Sequence, residues 1–445
     1  MTTAPRTSLS SPSTEPDPTG PAPAASGVPL VVRTVAVDGR AGLSDLIALL
    51  PRTEPLAWVR RGEGIVGWGT ALRIDTTGAD RFAHAERAWH ELVAHAVVRD
   101  EVGLPGTGPV AFGSFAFSPG SPAGGTLVVP QVVFGRRGDR WWVTTLSVGA
   151  VLPPPEPGPS DPATTPGTVT FADGARSAPD WAASVADAIR RISAGDLDKV
   201  VLARDLEAQT EHPVDPRWVL SRLAERYPGC WTFSVDGLLG ATPELLLRRE
   251  KGLVTSRVLA GTIRRTGDDA RDLALAASLA RSSKDREEHE YAVRSVTDAL
   301  APHCTSTNIP ESPYVLHLAN VMHLATDVTG VLADSSAATG ASSLTLAAAL
   351  HPSAAVCGTP TSTAAALIEA IEGMDRDRYA GPVGWIDATG DGEWGIALRC
   401  ARMHPSDPRR LRLFAGCGIV AGSDPEAELA ESSAKLVPMR DALSS

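Results

Sequence analysis

The sequence predicts an α+β protein in which layered antiparallel β-sheets form the core and helices pack outside them. Three observations point there. Short apolar runs broken by Gly/Pro turns recur over the first third of the chain and again over 383–420, the pattern of hairpins and meanders. Helical periodicity is gathered in blocks between runs of strands, which argues against a βαβ parallel sheet. The chain has 445 residues, 43% hydrophobic and 21% charged. That is an ordinary globular balance, long enough to bury a large core without disulfide or metal staples.

In order along the chain, residues 1–27 are mostly Pro, Ser, Thr and Ala and are expected to be a disordered tail. Residues 28–152 read as the N-terminal part of the fold, with strands over 109–117, 126–134 and 141–145 and a helix over 82–98. Residues 153–168 are a Pro-rich loop or linker. The region 169–445 opens with Ser177 as the cap of an amphipathic helix that runs to Ala194 and is stopped by Gly195. Strands are expected over 197–206, 231–249 and 253–262, and helices over 269–281 and 284–300. A meander spans 383–420, with one strand over 393–402. A last helix begins near Pro425, with Ser423-Asp-Pro-Glu426 spaced as a capping box.

Composition excludes several classes. A net charge of −11 without a basic stripe is no footprint for nucleic acid, although a pocket can be locally positive for a small anion. Five cysteines without a C-x-x-C spacing read as reduced thiols of a cytoplasmic protein. There is no signal pattern and no apolar run near the ~20 residues that span a bilayer, so no membrane partner is expected. Of 41 basic residues only Lys199, Lys251, Lys284 and Lys435 are lysine. Where arginine supplies charge almost everywhere else, a lysine raises the question of whether its tunable amine is wanted.

Several positions carry possible chemistry. Glu428, Glu431 and Lys435 share one helical face, which suits either a surface ion-pair ladder or a ligand wall. Glu288 stands one turn before the buried stripe that starts at Ala292, so its carboxylate needs a partner, a metal being one. Alternation places Arg399 on a strand face with Gly395, Ala397 and Ala401, leaving room for a carboxylate; an exposed strand Arg fits equally. Gly416 and Gly418 let backbone N–H groups approach an anion.

The ordered motifs Asp198-Lys-Val-Val-Leu-Ala-Arg204, Gly240-Ala-Thr-Pro-Glu244, Leu259-Ala-Gly-Thr262, Lys284-Asp-Arg-Glu-Glu-His289, His323-Leu-Ala-Thr326, His351-Pro-Ser-Ala-Ala355, Tyr379-Ala-Gly-Pro-Val-Gly-Trp385, Phe414-Ala-Gly-Cys-Gly-Ile419 and Glu428-x-x-Glu431-x-x-x-Lys435 resemble the chorismate-utilising enzymes, and within them the isochorismate synthases. The likeness covers 178–443, and more loosely 30–150. It implies an isomerase that adds water at C2 of chorismate and expels the C4 hydroxyl. Lys199 would be the base and Glu244 the acid. Glu288 and Glu431 would hold Mg²⁺, with Glu428 and Asp285 holding its waters. Arg399, Tyr379, Gly416 and Gly418 would receive the enolpyruvyl carboxylate. Gly261, Thr262, His323, Ala355 and Lys435 would complete the pocket. Aminating members typically carry Gln at the position of Lys199 and a lysine at that of Ala260, so ammonia chemistry and an amidotransferase subunit are not expected. Salicylate synthases, which go on to eliminate pyruvate, usually read His-Leu-Gly-Ser at 323–326, where this chain reads His-Leu-Ala-Thr. The likeness to actinobacterial members implies menaquinone biosynthesis, with catechol siderophores as the alternative.

Overall fold

A computed structural model of the protein describes residues 28–37, 45–155, 161–318, 321–336 and 339–444, with the side chains of Lys284 and Glu288 outside that description. The tail expected over 1–27 lies outside the described residues.

Among the described residues the strands form two sheets, of thirteen and ten strands. The larger runs in the order Val169–Asp173, Lys199–Thr210, Asp407–Ile419, Cys400–His404, Leu238–Thr242, Trp231–Val235, Leu56–Arg60, Glu63–Trp68, Val132–Arg137, Arg140–Val148, Leu30–Val37, Val97–Asp100, with the short Gly358–Thr359 against Lys199–Thr210. The smaller runs Cys304–Asn308, Val321–Leu332, Leu253–Arg264, Leu245–Glu250, Gly392–Ile396, Pro382–Asp387, Val110–Phe115, Gly125–Val129, Leu72–Thr76, with Tyr314–His317 against Val321–Leu332. Pairing is antiparallel apart from Leu30–Val37 with Val97–Asp100. Residues before 152 and after 169 build both sheets together: Leu56–Arg60 pairs with Trp231–Val235, and Val110–Phe115 with Pro382–Asp387.

The sheets meet across an aromatic core. Trp58, Trp231 and Phe233 of the larger sheet and Phe112, Phe115 and Trp394 of the smaller belong to one buried cluster. Burying each such side chain contributes roughly 1.5–3 kcal/mol or more. The ring nitrogens of Trp58 and Trp231 both donate to Glu393 of the smaller sheet, at 2.9 and 3.1 Å, so the buried carboxylate is satisfied where it ties the layers. Helices cover the outside. Ala178–Ser193, Pro216–Arg226, Thr361–Ile371 and Pro425–Leu443 lie on the larger sheet, and Arg81–Ala94, Ser283–Leu300 and Ser343–Leu350 on the smaller. None of these described helices is long and apolar enough to cross a membrane.

The expected helix boundary at 177–195 holds. Ser177 accepts from the Asp180 N–H, and Gly195 takes φ +86°. Trp181, Val185, Ala188 and Ile192 form its buried stripe. Other boundaries shift. The helix expected over 82–98 ends at Ala94, and Val97–Asp100 is an exposed edge strand. The last helix is capped by Asp424, whose carboxylate accepts from Ala427, while the Ser423 hydroxyl turns back to Val420. The largest correction is at 393–402. It is not one strand: Gly392–Ile396 belongs to the smaller sheet and Cys400–His404 to the larger. Arg399 stands in the passage between them at φ +46°, so strand alternation does not set its direction.

Candidate active site

Two of the passages that carry the chain between the sheets are neighbours, and both deliver a pocket residue. One joins Leu238–Thr242 to Leu245–Glu250 through Pro243 and Glu244. Proline has no N–H to give a ladder, so pairing lapses there and the strand can leave its sheet. The other runs through Ala397 to Arg399. The passages brace each other: Ile396 donates to the Glu244 carbonyl at 3.1 Å, and Ala241 to the Arg399 carbonyl at 3.2 Å. The left-handed backbone of Arg399 costs about 1–3 kcal/mol, and it is retained at a place where it aims a guanidinium inward.

Between these passages and the helices lies a cavity of about 190 Å³. Lys199, Glu244, Gly261, Thr262, His323, Ala355, Tyr379, Arg399, Gly416, Gly418, Glu431 and Lys435 all line it, as do Asp285 and Glu428. Every predicted site residue whose side chain is described therefore meets at one place. Glu288 is three residues beyond Asp285 on Ser283–Leu300, and its side chain lies outside the described residues.

Lys199 opens its strand and is 6% exposed. Glu244 is equally buried, and burial pushes its carboxyl up to about 7, against the pull of Lys199, Arg399 and Lys435. Below about pH 7 it therefore keeps a proton that an exposed glutamate would have lost. Burial, with Arg399 and Lys435, holds His323 down to about 3, so its imidazole is neutral. Its Nδ1 shares a 3.0 Å hydrogen bond with the Thr262 hydroxyl, and its buried Nε2 has no partner among the described residues. Gly261 makes this pairing possible. It sits in a bulge at φ +77°, after which Thr262 aligns with His323, and a side chain there would press on Asp285 at 3.1 Å.

Tyr379 stacks on Phe414 at 5.2 Å, and a side chain on Gly416 would meet its hydroxyl at 3.0 Å. Burial raises that phenol, so it remains a donor. The side chain of Arg399 is paired by no carboxylate among the described residues. Lys435 is committed, with Nζ 2.6 Å from Glu431 and donating to the Gly416 carbonyl at 2.9 Å. Burial works against its charge, but the Glu431 carboxylate outweighs burial and the ammonium persists.

Asp285, Glu428 and Glu431 make one wall acidic. The ligand atoms of Glu428, Glu431 and Cys417 lie within 4.8 Å of one another. The Cys417 thiol is raised by burial and donates to the Glu428 carbonyl at 3.4 Å, so oxygen is what this wall offers a cation. Such a donor set fits a hard divalent ion such as Mg²⁺.

Sequence reasoning passed over Arg376, which also lines the pocket. Its only sequence signal is an i, i+4 pairing with Glu372 just before the Tyr379 motif, which reads as a surface pair; both are in fact buried. The strand expected over 231–249 runs through Pro243 but is in fact three: Trp231–Val235 and Leu238–Thr242 in the larger sheet and Leu245–Glu250 in the smaller.

The model of the family described as chorismate binding enzyme matches residues 54–150 and 159–444. The salicylate biosynthesis isochorismate synthase of Pseudomonas aeruginosa is 35% identical over 423 residues, covering 88% of this chain and 85% of that one. The isochorismate synthase DhbC of Bacillus subtilis is 41% identical over 275 residues, covering 59% and 67%. The solved structure of MenF, the menaquinone-specific isochorismate synthase of Escherichia coli, superposes with a TM-score of 0.75 at 25% identity, covering 94% and 95%. The chain belongs to the chorismate binding enzyme family, within its isochorismate synthase group.

Proposed function

We propose that this chain converts chorismate to isochorismate in the pocket between the sheets, as a cytoplasmic enzyme without an amidotransferase subunit. One observation carries the reading: Lys199 and Glu244, an amine and a proton-holding carboxyl, are buried in the same cavity, and Ala260 also lines it with only a methyl group. Lys199, which opens the strand Lys199–Thr210 at the cavity, is the base we assign. Lys199 takes a proton from water as its oxygen bonds to C2. The ring double bonds shift, the C4–oxygen bond breaks, and Glu244 protonates the departing hydroxyl, which leaves as water. Atoms balance, and proton exchange with solvent resets both groups.

Arg399 would take a substrate carboxylate through its planar fork, with Tyr379 donating beside it. Neutral His323 offers Nε2 to the substrate. Glu431 and Glu288 would hold Mg²⁺, with Asp285 and Glu428 against its waters. When bound, the ion supplies positive charge that fixes and polarises the ring carboxylate. Two of these relatives are named for salicylate biosynthesis and for menaquinone, and the proposed step is the one that their shared name, isochorismate synthase, describes. The test is incubation with chorismate and Mg²⁺ followed by product identification. Isochorismate is expected; salicylate with pyruvate as the end product would overturn the reading.

A further inference from the structure

The strand that carries Lys199 has an unusual edge. On one side it pairs with Asp407–Ile419 along its length. On the other, Gly358–Thr359 covers 199–200 and Val169–Asp173 covers 206–210. The backbone groups of Val201 and Ala203 between those two short partners are met by other means. Val201 N–H donates to the Cys357 carbonyl at 2.8 Å. The Val201 carbonyl accepts from Arg376 Nη2 at 2.7 Å, and Ala203 N–H donates to Glu372 Oε1 at 2.6 Å. The Ala203 carbonyl accepts from the Trp181 ring at 2.9 Å. Two charged side chains and an indole stand in for the missing strand.

The two charged groups are one unit. Arg376 Nε donates to Glu372 Oε2 at 2.8 Å, and its Nη2 also donates to Glu372 Oε1. Both residues are at most 3% exposed. Arg376 Nη1 reaches across to the Val356 carbonyl at 2.9 Å, in the turn whose Ala355 lines the pocket. Its Cζ lies 4.2 Å from the centroid of the Phe117 ring. The fork thus bonds the Lys199 strand with one nitrogen and the Ala355 turn with another. Each guanidinium nitrogen is committed to protein, which separates Arg376 from Arg399.

We propose that the Arg376–Glu372 pair is a positioning device that fixes Lys199 relative to the Ala355 wall. The inference rests on Lys199 being the base. Hydrogen bonds from the strand edge set where the lysine Cα stands, and a fixed fork sets its distance from the opposite wall. A misplacement of about 1 Å at a reacting group costs on the order of 10²-fold in rate.

The test compares Arg376→Ala, Arg376→Lys and Lys199→Gln with the wild-type full-length chain, each with chorismate and Mg²⁺. Folded protein is quantified by near-ultraviolet circular dichroism, and rates are taken per folded molecule. Arg376→Ala should lower kcat by about 10²-fold. Its KM for chorismate should stay within about threefold, and added guanidinium ion at millimolar concentration should restore part of kcat. Arg376→Lys keeps the charge but not the fork, and should fall between the two. In the Lys199→Gln background Arg376→Ala should cause little further loss, because the two act as one unit. Wild-type kcat per folded molecule for both Arg376 variants, with only a lower unfolding temperature, would make the pair merely structural and overturn the inference. If Arg376→Ala does not fold, Arg376→Lys decides alone. An active Lys199→Gln enzyme would overturn the base assignment instead.

Discussion

The two walls of the pocket are built differently. The sheet wall carries Lys199 and His323 on strands and Glu244 on a passage between strands, each 6% exposed. Lys199 is paired with Thr359, His323 with both Thr262 and Leu316, and the Glu244 carbonyl accepts from Ile396. The helix wall carries Asp285, Glu428 and Glu431 on two helices, and its carboxylates are partly open, Glu431 at 33%. The sheet wall gathers an amine, a carboxyl raised by burial and a neutral imidazole; the helix wall gathers acids. Burial can hold a proton on Glu244 only where water is excluded and the backbone cannot move to readmit it. The acidic wall is the opposite case. Repulsion among its carboxylates is relieved by Lys435 on one side and, in the proposed reading, by a divalent ion on the other. Proton transfer is thus assigned to the rigid wall, and charge binding to the wall that has room for an ion and its waters.

That contrast can be broken on either side. On the sheet wall, Glu244→Gln removes the acid and should lower kcat by about 10²–10⁴-fold, measured by product formation at saturating chorismate. The same group sets a pH signature. Its carboxyl is raised to about 7 in the folded protein, so it carries its proton below that pH and loses it above. The wild-type kcat/KM should therefore fall as pH rises through about 7. Because the folded state holds this proton more tightly than the unfolded chain, its stabilising contribution is full below about 4.5 and lost as pH rises through about 7. In Glu244→Gln the high-pH decline in unfolding temperature should be shallower.

Arg399→Ala removes the fork between the walls. It should raise the KM for chorismate by roughly 10–100-fold, the range expected for a charge-assisted hydrogen bond, with a smaller change in kcat. On the helix wall, Glu431→Gln should raise the Mg²⁺ concentration for half-maximal rate about tenfold or more while leaving the pH profile in place. The smallest effect is expected at Cys417. Its protonated thiol is no ligand for a hard ion, so Cys417→Ala should leave the Mg²⁺ requirement within about twofold. A large shift there would move the cation toward the thiol.

The sequence made the two walls legible to different degrees. Glu428, Glu431 and Lys435 could be placed on one face because helical spacing is local, and their shared wall follows from it. Ser177 and Gly195 marked the two ends of an amphipathic helix by local cap chemistry. The α+β class and antiparallel sheets were likewise readable from runs of strand-like segments. The sheet wall was not. Lys199 opening a strand and Glu244 after a proline carry no local sign that they line one cavity, since that depends on where the chain leaves one sheet for the other. The same passage defeated the alternation argument at Arg399, where a left-handed residue resets the direction of the side chain. Glu372 and Arg376 were invisible for a related reason: their partners are backbone groups about 170 residues earlier in the chain.

Lys199 is the base assigned to the buried wall. The most direct measurement is Lys199→Gln assayed with chorismate and Mg²⁺ under single-turnover conditions, with chorismate binding followed in parallel. Binding within a few-fold of wild type, with isochorismate formation reduced by about 10²-fold or more, is the predicted result. Isochorismate formed at close to the wild-type rate would contradict it.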